Sequence, residues 1–111
     1  MDEIQLTAKM KIGIKRKYPM MYVQRVSDKF LSGLPDLRLI CFGLSADLEV
    51  KLPGKGKKSE PSEIQKKVME WITASGGITG VAKTMEEAIT FADRLYEKGR
   101  AYHESRIGQN T

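Results

Sequence analysis

The stretch GLPDLRLICFGLSADLEVK, residues 33–51, decides how this chain is read. Leu37 to Phe42 is apolar apart from Arg38, the composition expected of a central strand covered on both faces. Gly43 to Ser45 is expected to turn the chain. Leu48, Val50 and Leu52 then alternate with Glu49 and Lys51, a period of two that predicts a second strand with both charges on one face. Asp36 opens the first strand and Glu49 sits on its neighbour, so pairing through the Gly43 turn would bring two carboxylates together. Each piece alone is bland. Pro-Asp begins many turns, and Glu-x-Lys is what the solvated face of any amphipathic strand looks like.

Upstream, Ile4, Leu6, Ala8, Met10, Ile12 and Ile14 alternate with Gln5, Thr7, Lys9, Lys11 and Gly13, which reads as a strand. Met20 to Val26 reads as a further extended segment and Ser27 to Pro35 as a loop. Downstream, Pro53 to Lys58 is a basic, glycine-bearing loop. Ser62-Glu63-Ile64-Gln65 has the form of a capping box and predicts a helix start. Ile64, Val68, Trp71 and Ile72 recur at helical spacing, which places Trp71 in the core, and Gly76-Gly77 supplies the stop. Ile78 to Ala82 is a short strand. Thr84 with Glu87 caps a last helix whose buried stripe runs through Ala88, Phe91, Ala92, Leu95, Tyr96 and Gly99, with a frayed tail over 105–111.

At 111 residues the chain has room for one domain and one core, here about residues 20–104. No apolar run is long enough for a membrane span or signal sequence, so an intracellular, cytoplasmic protein is expected. The only cysteine, Cys41, lies in an apolar run and argues for no disulfide framework. The net charge of +5 is uneven: residues 1–29 carry seven Lys or Arg against three acids, and residues 51–67 six against two. Such segments suit a polyanion, whose condensed counterions each bound cation releases, although a membrane surface attracts the same charge.

Hydrolysis of a phosphodiester needs an activated water, neutralisation of the charged transition state and help for the leaving oxygen, all of which a bound divalent cation can supply. Magnesium takes oxygen ligands, commonly one or two carboxylates plus substrate phosphate. Asp36 and Glu49 are the candidate ligands, the Val50 carbonyl is a further one, and Lys51 is placed to reach the water or a phosphate oxygen. A single histidine, His103, excludes sites built on several, and Gly54-Lys55-Gly56 lacks the spacing of a phosphate-cradling loop.

Taken in order, Gly33 to Leu37, Glu49 to Lys51, the Pro53 to Lys58 loop, Ser62 to Gln65 and Gly76 to Ala82 resemble the PD-(D/E)xK nucleases and, within them, the VRR-NUC group. The resemblance covers roughly residues 20 to 90. It implies an α/β, restriction-endonuclease-like fold, a central mixed β-sheet flanked by helices. It further implies that Asp36 and Glu49 bind Mg2+ (or Mn2+), that Lys51 assists the water, and that Gln65 contributes from the next helix, although its capping-box role explains it equally well. The group also places a glutamate on an N-terminal helix near the metal. Glu3 resembles that position, and on this ground residues 4 to 14 are expected to be helical against their alternation. Arg25, Lys29, Lys55, Lys57 and Lys58 are the expected DNA contacts. Free-standing members of the group look like phage or prophage endonucleases cutting branched DNA, four-way junctions above all, as homodimers. The rival readings are a non-catalytic nucleic-acid-binding module on the same fold and a restriction-type, sequence-specific nuclease.

Overall fold

Asp2 and Gln5 settle the first element. The Asp2 carboxylate accepts the Gln5 N–H at 2.8 Å, and the Gln5 side-chain oxygen accepts the Asp2 N–H at 2.9 Å, a complete capping box. Helix α1 follows over Glu3–Lys17, with Glu3 in its first turn and Lys15, Arg16 and Lys17 in its last, the polarity that suits the helix dipole. The helix overrules the alternation of residues 4 to 14 and agrees with the resemblance. Stepping two residues along a helix turns about 200°, so alternate residues fall on two opposite stripes. Leu6, Met10 and Ile14 form the buried one; Ile4 and Ile12 stay more than half exposed on the other.

The computed structural model describes residues 1–26 and 32–109, and for residues 58, 108 and 109 the backbone alone. After α1 come strands β1 (Tyr22–Arg25), β2 (Leu37–Cys41) and β3 (Leu44–Val50), a 3-10 turn over Lys57–Ser59, helix α2 (Glu63–Ala74), strand β4 (Ile78–Ala82) and helix α3 (Met85–Gln109). The four strands form one sheet in the order β1-β2-β3-β4, antiparallel over the first two pairings and parallel between β3 and β4. This is an α/β architecture with a mixed sheet flanked by helices. No described helix is long and apolar enough to cross a membrane.

Leu37, Leu39 and Cys41 of β2 and Ala46, Leu48 and Val50 of β3 share one sheet face with Val23. They pack in a single core with Leu6, Met10 and Ile14 of α1 and Ala88, Phe91, Ala92 and Leu95 of α3. The opposite face is only partly covered, because α2 packs mainly against β4. Two expectations are corrected by this. Strand β2 is covered on one face, with Arg38 and Ile40 exposed on the other. Trp71 is not core: it is 61% exposed, and α2 has no fully buried residue. The turn between β2 and β3 is also tighter than expected. Phe42 (φ 54°) and Gly43 (φ 85°) make it alone, the positive-φ pair of a two-residue hairpin, and Leu44 already belongs to β3. Helix α3 continues to Gln109, past the point near Ser105 where fraying was expected.

Gly99 shows how closely α3 is docked. A Cβ there would lie 2.8 Å from the Cys41 carbonyl oxygen and 3.2 Å from Phe42. Alanine in a helix interior is ordinarily favoured over glycine by about 1 kcal/mol. Here the contact with backbone reverses the sign. Gly99→Ala is expected to lower the stability by about 1–2 kcal/mol in urea unfolding, and a rise instead would mean that α3 is not held against the hairpin.

Candidate metal centre

Asp36 stands just before β2, and its backbone is fixed on both sides. Its N–H donates to the Leu48 carbonyl at 3.1 Å and its carbonyl accepts the Val26 N–H at 2.9 Å. Its Oδ2 accepts the Val50 N–H at 2.7 Å, so the carboxylate is tied to the segment that carries Glu49 and Lys51. Because Leu48 and Val50 enter the core, the intervening Glu49 leaves on the other face, as alternation requires. Glu49 is nevertheless fully buried. Its Oε1 accepts a hydrogen bond from the Gln65 Nε2 at 3.2 Å, while its Oε2 is buried with no hydrogen-bond partner among the described residues.

Glu3 completes the group. One carboxylate oxygen from each of Glu3, Asp36 and Glu49 lies within 4.8 Å of the others. Three acids so close oppose one another's ionisation. Burial foremost, then the nearby Asp36 carboxylate, which would accept a hydrogen bond from Glu49 only once Glu49 is protonated, and the charges of Asp36 and Glu3 push the Glu49 carboxyl from the usual 4.5 up to about 9, with Lys51 pulling the other way. Glu3 is raised too, again by burial first, with Lys51 lowering it and Asp36 adding to the rise. Lys51 is buried, continues the β3 line beyond Val50, and donates its N–H to the Ala82 carbonyl at 3.0 Å.

The donor set fits a hard divalent cation. It consists of carboxylate oxygens alone, and oxygens on opposite sides of one magnesium stand about 4 Å apart. The unpartnered Glu49 Oε2 is the kind of orphaned buried acceptor that a cation would satisfy.

Gln65 serves two structural ends at once. Its side-chain oxygen accepts the Ser62 N–H at 2.8 Å in the capping box of α2, while its Nε2 reaches Glu49. The two explanations that the sequence set against each other are therefore compatible. Arg25 is exposed at the end of β1, next to the Val26 that binds Asp36, and Lys55 and Lys57 are exposed on the loop after Lys51. That loop is tethered by a Lys83–Glu60 ion pair at 2.9 Å. Lys29 and the side chain of Lys58 lie outside the described residues. Two further residues hold the first turn of α1 at the centre. Asp2 caps the turn that presents Glu3, and its Asp-x-x-Gln signal matches the one that located Ser62 and Gln65. Thr7 anchors the same turn, its hydroxyl donating to the Glu3 carbonyl at 2.8 Å.

Fold and centre together define a restriction-endonuclease-like α/β domain with three acids and a lysine gathered where β2 begins and β3 ends. Among solved structures it is similar to one titled "VRR_NUC domain", with a TM-score of 0.64, 22% identity, and coverage of 81% of this chain and 97% of that one. The fold is thus that of a VRR_NUC domain. No protein-family model and no curated protein matches the sequence.

The raised Glu49 carboxyl gives the centre a defined response to pH. The folded protein keeps this proton across the interval from 4.5 to about 9, where the unfolded chain has lost it. The stabilisation is therefore complete below the unfolded value and is lost as pH rises through the folded one. The melting temperature of the metal-free protein should fall between pH 6 and pH 9. Added Mg2+, which competes with the proton, should raise it more at pH 8 than at pH 6. Glu49→Gln should flatten both responses, and a wild-type melting temperature indifferent to pH and magnesium would contradict a cation centre here.

Proposed function

We propose that this protein is a magnesium-dependent nuclease that hydrolyses DNA phosphodiester bonds, with Asp36, Glu49 and Glu3 as the cation ligands. What carries the reading is the buried, unpartnered Glu49 Oε2 beside two further carboxylates, with Lys51 adjoining. The similarity to a structure titled VRR_NUC domain and the order of motifs along the chain support it.

Asp36 and Glu49 come from neighbouring strands and Glu3 from a helix, so the cluster is held from three directions. The Val50 carbonyl is proposed as a further ligand, consistent with the clamp that Asp36 places on the Val50 N–H. A bound Mg2+ or Mn2+ would polarise the phosphate and lower the pKa of its water. Lys51 supplies a fixed positive charge for the nonbridging phosphate oxygens and a donor to the attacking water, and its charge already acts on both Glu49 and Glu3. Gln65 orients the Glu49 carboxylate, the role that partners of ligating carboxylates commonly have. Arg25, Lys29, Lys55, Lys57 and Lys58 are proposed to hold the flanking phosphates. The substrate is proposed to be branched DNA, four-way junctions included. Resolving a junction takes two coordinated cuts, and a chain with one centre provides them as a homodimer.

Labelled linear, flap and four-way DNA, incubated with magnesium or with chelator, tests this directly. Asp36→Ala, Glu49→Gln and Lys51→Ala should each lower the cleavage rate by about a thousandfold or more, some 4 kcal/mol of barrier. Gln65→Ala should cost about 10–100-fold. Ser62→Ala, which removes only the cap, should cost about 1 kcal/mol of stability and leave cleavage within a few-fold. Cleavage that survives Asp36→Ala or Lys51→Ala overturns the site, and binding without cleavage in any metal turns the domain into a binding module.

The loop lysines give a separate readout. Replacing Lys55 and Lys57 with alanine should weaken DNA binding uniformly across sequences and reduce the slope of log affinity against log salt by about two. An unchanged slope would remove that loop from the interface.

A further inference from the structure

Strand β4 ends the sheet among the described residues, and its free edge lies at the bottom of two depressions. On the α3 side a groove of about 760 Å³ is lined by Glu86, Thr90, Arg94 and Lys98. On the α2 side a hollow of about 570 Å³ is lined by Pro61, Met69, Ala74 and Val81, with Lys66 and Glu70 at its rim. The Lys51 N–H donates to the Ala82 carbonyl, so Ala82 and, by alternation, Gly80 and Ile78 turn their backbone groups toward β3. Thr79 and Val81 therefore turn theirs outward. An open edge with outward amides invites another strand.

We propose that this edge is the surface through which two copies of the chain pair, β4 running antiparallel to β4 about a two-fold axis at Gly80. Three features point to a second copy as the occupant. First, the register is self-consistent. Centring on Gly80 sets Thr79 opposite the partner's Val81, both with outward hydrogen-bonding groups, and leaves the two glycines facing each other at the axis without side chains to clash. Second, the two ends of the α3 stripe are complementary in charge. Residues 86, 90, 94 and 98 recur at one-turn intervals as Glu, Thr, Arg and Lys, so antiparallel copies set Glu86 against the partner's Lys98 and Thr90 against the partner's Arg94. Among the described residues, Glu86, Arg94 and Lys98 are in no ion pair. Third, the two centres of symmetry coincide. The midpoint of the stripe falls at residue 92, and its neighbour Phe91 packs against Gly80 so closely that a Cβ there would lie 2.7 Å from the ring. On the α2 side Glu70 and Lys66, the latter already paired with Glu63 at 3.5 Å, line the hollow, and the pairing covers Val81, now 38% exposed. An isologous interface requires this kind of match of one surface to itself.

The pairing deepens the homodimer reading given above, yet it rests on edge, register and charge rather than on catalysis. Sedimentation velocity of the full chain tests it. The wild type should run as a dimer at about 50 µM, well above a micromolar dissociation constant. Val81→Pro removes an outward N–H that β3 does not use, so it should give a monomer with an unchanged far-UV spectrum. Lys98→Glu should weaken the dimer about tenfold, some 1.4 kcal/mol, and adding Glu86→Lys should restore it. Should Val81→Pro unfold, this charge swap decides. The proposal is overturned by a wild type monomeric up to about 200 µM, by a dimer that survives Val81→Pro, or by one lost to Ile4→Glu and Ile12→Glu on α1 instead. Cleavage of linear, flap and four-way DNA by the same samples keeps the two readings apart: a monomer that cleaves any of them ends the pairing alone, and a dimer inert on all three with magnesium or manganese ends the nuclease reading alone.

Discussion

The burial of a carboxylate without enough partners is the constraint around which this molecule is arranged. Glu49 is enclosed with one oxygen bound to Gln65 and the other without a partner among the described residues, beside two more acids. Such an arrangement is costly unless a proton or a cation offsets it. The surrounding structure holds it in place regardless. Asp36 is pinned by three hydrogen bonds, and Glu3 is presented by a capped first turn. Lys51 supplies the opposing charge without neutralising the group.

Two capping boxes carry much of this burden. Helix caps usually serve to satisfy the free amides of a first turn. Here the box at Asp2 and Gln5 also fixes the residue that projects Glu3, and the box at Ser62 and Gln65 fixes the amide that reaches Glu49. Both helices thus bring their capped ends to the cluster. The stability of α1 and α2 and the geometry of the centre are consequently coupled, although α2 itself buries no residue completely.

The hairpin from Asp36 to Lys51 was legible because every signal in it agreed: an apolar strand, a glycine turn, alternation, and charges on the polar side. Helix α1 is not legible from periodicity, since its two apolar stripes imitate a strand; the resemblance and the Asp-x-x-Gln signal at Asp2 indicate a helix. Trp71 misled for the opposite reason. Its helical spacing is real, but spacing says nothing about how much of the sheet α2 covers, and that is set by tertiary packing against β4. The gathering of Glu3 with Asp36 and Glu49 depends on how α1 packs, which no local pattern encodes. Nor does the sequence reveal that Gln65 can cap a helix and hold Glu49 with the two ends of one amide.

The Phe42–Gly43 turn lies at the far end of the hairpin, about 20 Å of strand away from the acids. Phe42 adopts a backbone conformation unusual for a side chain of its size, and its ring is wedged against Tyr96 and His103 of α3. A slip of one residue along β3 would exchange its two faces, sending Glu49 and Lys51 into the oily interior and Leu48 and Val50 out to water. The wedged ring works as a distant latch on strand alignment. The alignment of the acids at one end of the sheet is therefore held by a knot of aromatic side chains at the other.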